Sequence, residues 1–383
     1  MTPEQRERAV RETETWFVRR GLPFFVEDRT IDVNELVHGR SLAVLVLAYF
    51  GSLLLAVPAD EPWTTRLLYS GIGLVLLLAV WALANLFRHR KAMERPRRVG
   101  VVELTVFVIG PAAVVLALRR DGDWALGTLL VDASVLAVVA AAEILDVGPI
   151  ARWALRRTSK ELGSLFPLVT RALPMLLLFM TFLFINTEVW QVASALSRPV
   201  LWLSVAFFGA LAVAFLLARL PEEVAAVNDD MGPDVVSRAL PGTPLADLEA
   251  ELDDVQPEPL TRRQRVNLLL VLLIAQIAQV LLLSMAVWVF FLIFGRVAIN
   301  DRVIETWVGE QAPAPPLLGH LGLSEELLHV SIFLAAFSGL YFTVYAVTDA
   351  TYREQFFTGI IRELETAVGV RAAYLALRRR TLD

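Results

Sequence analysis

The chain has 383 residues, of which 56% are hydrophobic and only 20% charged, whereas soluble globular domains lie near about 45–50% and about 25%. That excess of apolar residues excludes an ordinary soluble enzyme, and the absence of cysteine excludes disulfides, thiol nucleophiles and thiolate metal sites. Acids and bases are segregated along the chain, so the net charge of −5 says little by itself, and no nucleic-acid partner is implied.

Residues 1–40 are charged and read as a cytoplasmic N-terminal segment. A cleavable signal peptide carries its apolar stretch close to the start; the first such run here begins at Ser41, which predicts an uncleaved anchor. Crossing a bilayer takes about 20 apolar residues, and eight runs qualify: 41–58, 67–87, 99–118, 125–145, 173–193, 199–218, 266–299 and 327–348. Asn186, Thr187, Glu188 and Gln191 interrupt the fifth. The seventh is too long for one perpendicular crossing and is expected to continue as a helix beyond the membrane.

Basic residues alternate between the connections. The N-terminal segment carries Arg6, Arg8, Arg11, Arg19, Arg20, Arg29 and Arg40, and the next loop only Arg66. Arg88 to Arg98 crowd the second connection's successor, then Arg119 and Arg120 stand alone. Arg152 to Arg171 are followed by Arg198 alone, and Arg219 to Arg265 by Arg296 and Arg302. Every odd segment is rich and every even one poor, so the positive-inside rule places both termini in the cytoplasm. The expected fold is all-α: a polytopic transmembrane helix bundle with eight spans and cytoplasmic amphipathic helices. Spans one to six occupy 41–218, a cytoplasmic loop 219–265, spans seven and eight with an outer loop 266–348, and a cytoplasmic C-terminal helix 349–383.

Three cytoplasmic pieces look amphipathic. In the first, Leu155, Leu162, Leu165 and Phe166 oppose Arg152, Arg156, Arg157 and Lys160, with Trp153 at the edge. The tail repeats the pattern with Phe357, Ile360, Ile361, Leu364, Val368 and Leu375 at helical spacing. The third is Trp16, Phe17 and the stretch from Gly21 to Val26. Such helices either lie on anionic lipid or pack under the bundle. The segment 221–260 sets eleven acids against Arg238 and is rich in proline. That composition predicts a solvated tether, with docking of a cytoplasmic protein partner or cation-sensitive gating as alternatives.

Ionisable side chains at membrane depth are costly and face a bundle interior or a wet cavity. With a rise of about 1.5 Å per residue, Glu103 sits roughly 6 Å from the inner boundary, Asp132 roughly 10 Å below the outer one, and Glu188 about 22 Å up. Glu143 falls near the inner boundary. These acids sort into an outer pair, Asp132 and Glu188, and an inner pair, Glu103 and Glu143. With no lysine or arginine at matching depth, they either take up protons or attract cations; struts between helices and interfacial contact with water are the plainer readings. Asn186 lies beside Glu188, and Gln276 and Gln279 add a polar stripe to span seven. Ladders of Ala133, Ala137 and Ala141, and of Ala206, Ala210 and Ala214, suit close helix packing or a homo-oligomer interface.

No GxxxxGK[ST], HExxH or GxSxG motif occurs, and the four histidines show no ligand spacing. A non-enzymatic protein without cofactor or resident metal is expected. The runs 184–191 (FINTEVWQ) and 337–357 (FSGLYFTVYAVTDATYREQFF) resemble segments of a family of actinobacterial multi-pass integral membrane proteins with no assigned activity. Of the 35 basic residues only Lys91 and Lys160 are lysines, a bias that fits a GC-rich bacterial genome. The expectation is a bacterial inner-membrane protein, embedded in the lipid bilayer, that acts as a channel or transporter for a small cation or proton. A membrane scaffold or sensor, binding a cytoplasmic partner at 221–260 or anionic lipid through its arginines, is the alternative.

Overall fold

The computed structural model describes residues 3–27, 42–55, 62–87, 89, 101–161, 177–229, 234–248, 255, 258–309, 322–348 and 350–382. They are helical or connecting, with no strand among them. Two compact units emerge, one of residues 28–148 and the other of 1–27 with 149–383.

The first unit holds α2 (Leu42–Leu55), α3 (Trp63–Phe87), α4 (Val101–Arg119) and α5 (Gly122–Ile144), numbered after α1 (Pro3–Arg19) of the second unit. Apolar side chains run around most of each helix rather than along one stripe, as in a helix bathed in lipid. Val75 is 67% exposed, Leu68 58% and Val138 69%. Leu45, Tyr49, Leu53, Tyr69, Phe107 and Val114 form a small inward core. Two glycines set its tightness. A Cβ on Gly73 would stand 2.2 Å from Leu53 Cδ1, and one on Gly110 would stand 3.0 Å from the Tyr49 hydroxyl.

The second unit adds α6 (Val147–Glu161), α7 (Leu177–Phe184), α8 (Thr187–Ala195), α9 (Arg198–Asp229), α10 (Asp234–Ala239), α11 (Arg262–Ala298), α12 (Asp301–Val308), α13 (Glu325–Thr348) and α14 (Ala350–Leu382). Helix α13 packs between α9 and α11. Gly339 lets α13 close on α11, since a Cβ there would meet Ser284 Oγ at 2.4 Å. At one end of this bundle an aromatic cluster gathers Phe184 stacked on Phe291 at 4.6 Å, with Trp190 edge-on to Phe184 and Trp307.

The opposite end, marked by Arg219, Arg262, Arg263 and Arg265, is a folded cap. Its core unites Phe17, Leu22 and Phe25 from the N-terminal stretch, Ile150 and Trp153 of α6, Leu216 and Leu220 of α9, Leu268 to Ala275 of α11, and Ile360 to Leu377 of α14. Asn267, fully buried on α11, holds the N-terminal turn: its Nδ2 donates to Gly21 O at 3.0 Å, and its Oδ1 accepts from Phe24 N at 3.3 Å. Gly21 has φ +76°, a conformation that suits glycine.

All eight apolar runs coincide at least in part with helices, but they are not equivalent. Among the described residues five helices are long and apolar enough to cross a membrane, within 64–87, 122–144, 198–225, 262–298 and 325–345; a sixth span results if α7 and α8 count as one. The apolar parts of α2 and α4, Val44–Leu54 and Leu104–Leu118, are shorter. The fifth run is not one straight helix: α7 and α8 meet at 74°. The seventh run is one 37-residue helix, α11, as its length required.

The cap overturns the tether reading of 221–260 over most of its described residues. Val224, Val236, Ala239, Leu240, Leu245 and Leu260 are buried in the main core, and α10 packs on α14. A few apolar residues suffice to anchor an acidic segment when the surface beneath them is already formed. In α6 the buried face is Ile150, Trp153 and Ala154, whereas Leu155 is 65% exposed; Leu162, Leu165 and Phe166 lie outside the described residues. The described tail positions and the N-terminal stretch pack under the bundle, with Phe17, Ile360, Leu364, Val368 and Leu375 buried. Neither alanine ladder packs internally: Ala133, Ala137, Ala141, Ala206, Ala210 and Ala214 are all exposed.

Replacing Asn267 by alanine leaves a buried N–H and a buried carbonyl unpaired, a cost of about 2–3 kcal/mol, read as a lowered melting temperature and faster proteolysis of the N-terminal stretch in detergent. Tyr374 donates to Glu14 Oε1 at 2.9 Å and accepts from Arg378 Nη1 at 3.2 Å. Burial, then the bond to Glu14 and its charge, push this phenol up to about 12, against about 10 when free. Its neutral form is therefore favoured by folding, and that stabilisation is complete below about pH 10 and lost as pH rises through the folded value. Between those limits the wild type is expected to lose melting temperature more steeply than Tyr374→Phe.

Candidate functional site

Asp132 sits on α5, which starts at a firm cap where Asp121 Oδ1 accepts from Asp123 N and Trp124 N, each at 3.1 Å. Ten residues further on, Asp132 turns into the unit and is fully buried. Ser52 of α2 approaches it, with Oγ 3.3 Å from Asp132 Oδ2 and 3.0 Å from the carbonyl of Tyr49. Asp132 Oδ1 is buried and has no hydrogen-bond partner among the described residues. One turn before Ser52, the Tyr49 hydroxyl donates to Gly73 O at 3.0 Å, which ties α2 to α3. Residues of α2 thus present a carbonyl, a hydroxyl and a phenol beside one carboxylate. Sequence reading singled out Asp132 but neither Ser52 nor Tyr49. The only available signal was the pair Gly51–Ser52 in an otherwise apolar run.

The other expected site residues take different places. Glu143 shares α5 with Asp132 but is only half-buried, and Glu103 lies in the first turn of α4, with its side chain outside the described residues. Glu188 is exposed in the first turn of α8, in the other unit from Asp132. Its expected depth assumed an uninterrupted helix, and a 74° bend at residues 185–186 removes that basis. Asn186 has a definite local task. Its Oδ1 accepts from Glu188 N at 2.8 Å and from Val189 N at 3.3 Å, so it caps α8. The carbonyl of Phe184, at the end of α7, accepts from Trp190 Nε1 at 2.6 Å. Both sides of the break are thereby satisfied, and Gln191 reaches across to Trp307 O at 3.0 Å.

Gln276 and Gln279 lie on neighbouring positions of α11. Gln276 is buried, and neither its Nε2 nor the Oε1 of Gln279 has a hydrogen-bond partner among the described residues. The buried hydroxyls of Ser338 and Thr343 on α13 bond their own helix, at 2.7 Å to Leu334 O and 2.8 Å to Gly339 O. At the far end His329 is buried, with Nε2 3.7 Å from a Glu325 oxygen that also receives Arg198 Nε and Nη2 at 3.1 and 3.0 Å. Among the described residues no group of three or more His, Asp or Glu side chains could hold a metal ion. Among the expected acids whose side chains are described, Asp132 is the one that is wholly buried and incompletely bonded.

Substituting Asn186 by alanine should cost about 1 kcal/mol through loss of the cap, whereas exposed Glu188→Gln should stay within about 0.5 kcal/mol. Melting temperatures of the two variants in one detergent decide the order. The chain matches no protein-family model, and no curated protein or solved structure is significantly similar to it.

Proposed function

We propose that the chain is a membrane protein that takes up and passes a proton, or a comparably small cation, at Asp132. The observation that carries this reading is a fully buried carboxylate on an apolar helix with one oxygen unpartnered among the described residues. An ionised carboxylate so placed costs several kcal/mol unless a counter-charge or further donors offset it, and no basic residue pairs with Asp132 among the described residues. A side chain that expensive is retained in such a place mainly for what it binds.

The hydrogen-bond arithmetic favours a proton. Ser52 has one hydroxyl proton but two acceptors within reach, the Tyr49 carbonyl and Asp132 Oδ2. Both contacts are made at once when Asp132 carries a proton and donates it to Ser52 Oγ, freeing the hydroxyl to donate to Tyr49 O. Loss of that proton leaves Ser52 to serve one acceptor or the other. A lone carboxylate and a hydroxyl also fit a proton better than a multivalent metal, which takes several oxygen ligands.

Purified protein in liposomes loaded with a pH-sensitive dye should show proton flux driven by a membrane potential. Asp132→Asn, which keeps the size and loses the titratable group, should reduce it at least about tenfold, and Ser52→Ala by a smaller factor, as one hydrogen bond of about 1 kcal/mol implies. Glu188→Gln should leave it unchanged. Absence of wild-type flux at every voltage and pH, or full flux through Asp132→Asn, would end the reading.

A further inference from the structure

A second cluster, separate from Asp132, lies in the cap. Arg20, just past α1, and Arg157 of α6 converge on the carboxylate of Glu363 on α14; Arg20 Nη1 stands 3.0 Å from Oε1, and Arg157 takes Oε2. Each guanidinium is also stacked on an indole, Arg20 at 4.3 Å from the Trp16 ring centre and Arg157 at 5.5 Å from that of Trp153. These planes are held rather than swinging, and the side chains remain partly open, at 33% for Arg20 and 15% for Arg157. Gly359 on α14 leaves room for Arg157, whose Nη2 would stand 3.3 Å from a Cβ there. Arg19, Arg156 and Arg362 are exposed around the cluster.

Arg20 meets the positive charge of Arg157 as well as the carboxylate they share, and burial first and that charge second draw its pKa below the usual arginine value. Two like charges in a half-buried place are stabilised by an anion that both can grip, and planar guanidinium forks match phosphate oxygens. Position narrows the source. A Cβ on Gly21 would contact Trp153 Cβ at 3.6 Å and Val271 Cγ2 at 3.6 Å, and the apolar run of α11 opens at Val266. The cluster therefore lies about 8 Å along the helix from the start of that run, at the level where indoles and arginines meet headgroups.

We propose that Arg20 and Arg157, framed by Trp16 and Trp153, form a binding site for the phosphate of an anionic phospholipid headgroup. Glu363 occupies part of the same donor set and competes with it. The site is independent of the reading of Asp132.

The test is titration of full-length protein in neutral detergent with phosphatidylglycerol, phosphatidylcholine or inorganic phosphate, with binding read by native mass spectrometry. Phosphatidylglycerol should bind tightest. Arg20→Gln and Arg157→Gln should each weaken it about tenfold, as loss of a charged hydrogen bond implies, and Arg302→Gln at the far end should not. Glu363→Gln should tighten binding, which a purely structural ion pair would not do. Arg20→Lys and Arg157→Lys keep the charge and lose the fork, so a severalfold loss in either supports the site even where a glutamine variant fails to fold. Equal affinity in all arginine variants, weaker binding in Glu363→Gln, or displacement of the lipid by inorganic phosphate at equal concentration would overturn the proposal.

Discussion

Every peptide group in an apolar medium must find its hydrogen bond within the protein, and this constraint explains both the helices and the places where they stop. Along α3, α5 and α11 the backbone serves itself. Trouble arises only at interruptions, and there particular side chains step in. Between α7 and α8 the indole of Trp190 takes the Phe184 carbonyl while Asn186 takes the first amides of α8. At the base of α11, Thr261 and Gln264 close a reciprocal cap, and one turn later Asn267 serves the turn at Gly21 and Phe24. The polar residues that look misplaced in an apolar chain are in large part the fittings that let helices end.

Set against those, the polar groups that remain unanswered stand out. Asp132 Oδ1, Gln276 Nε2 and Gln279 Oε1 are buried with no partner among the described residues. A cap residue repays its burial through the bonds it makes, and these atoms do not. Ser70 Oγ, Trp288 Nε1 and Ser331 Oγ share that condition on the same kind of apolar helix, and of these groups only Asp132 is titratable in the ordinary pH range.

Much of the fold was legible because hydrophobic length is a long-range property written locally: each apolar run coincides at least in part with helix, and the 37-residue α11 was foreshadowed by a run too long for one crossing. The inward turn of Asp132 followed from the cost of a carboxylate in lipid. What failed was the ruler of fixed rise per residue at Asn186–Glu188, since a bend has no hydropathic signature and Asn before a helix start reads equally well as a polar site. The acidic segment misled for the opposite reason. Its composition is that of a solvated chain, yet Val236, Leu240 and Leu245 are gripped by α14 and its neighbours, more than a hundred residues away in sequence. Ser52 and Asn267 act through partners distant in the chain, and no local pattern announces such a partner.

The cap also joins α1 to α14. Tyr374 bonds Glu14, Arg6 donates to the carbonyl of Arg380, and Phe17 lies edge-on to Tyr374. Helix α1 therefore packs on α14, with Glu14 and Tyr374 separated by 360 residues of sequence. During synthesis α1 emerges long before α14, and its apolar face stays uncovered until α14 follows. Phe17 thus depends for its burial on residues made far later, and a chain truncated within α14 would leave α1 without its partner.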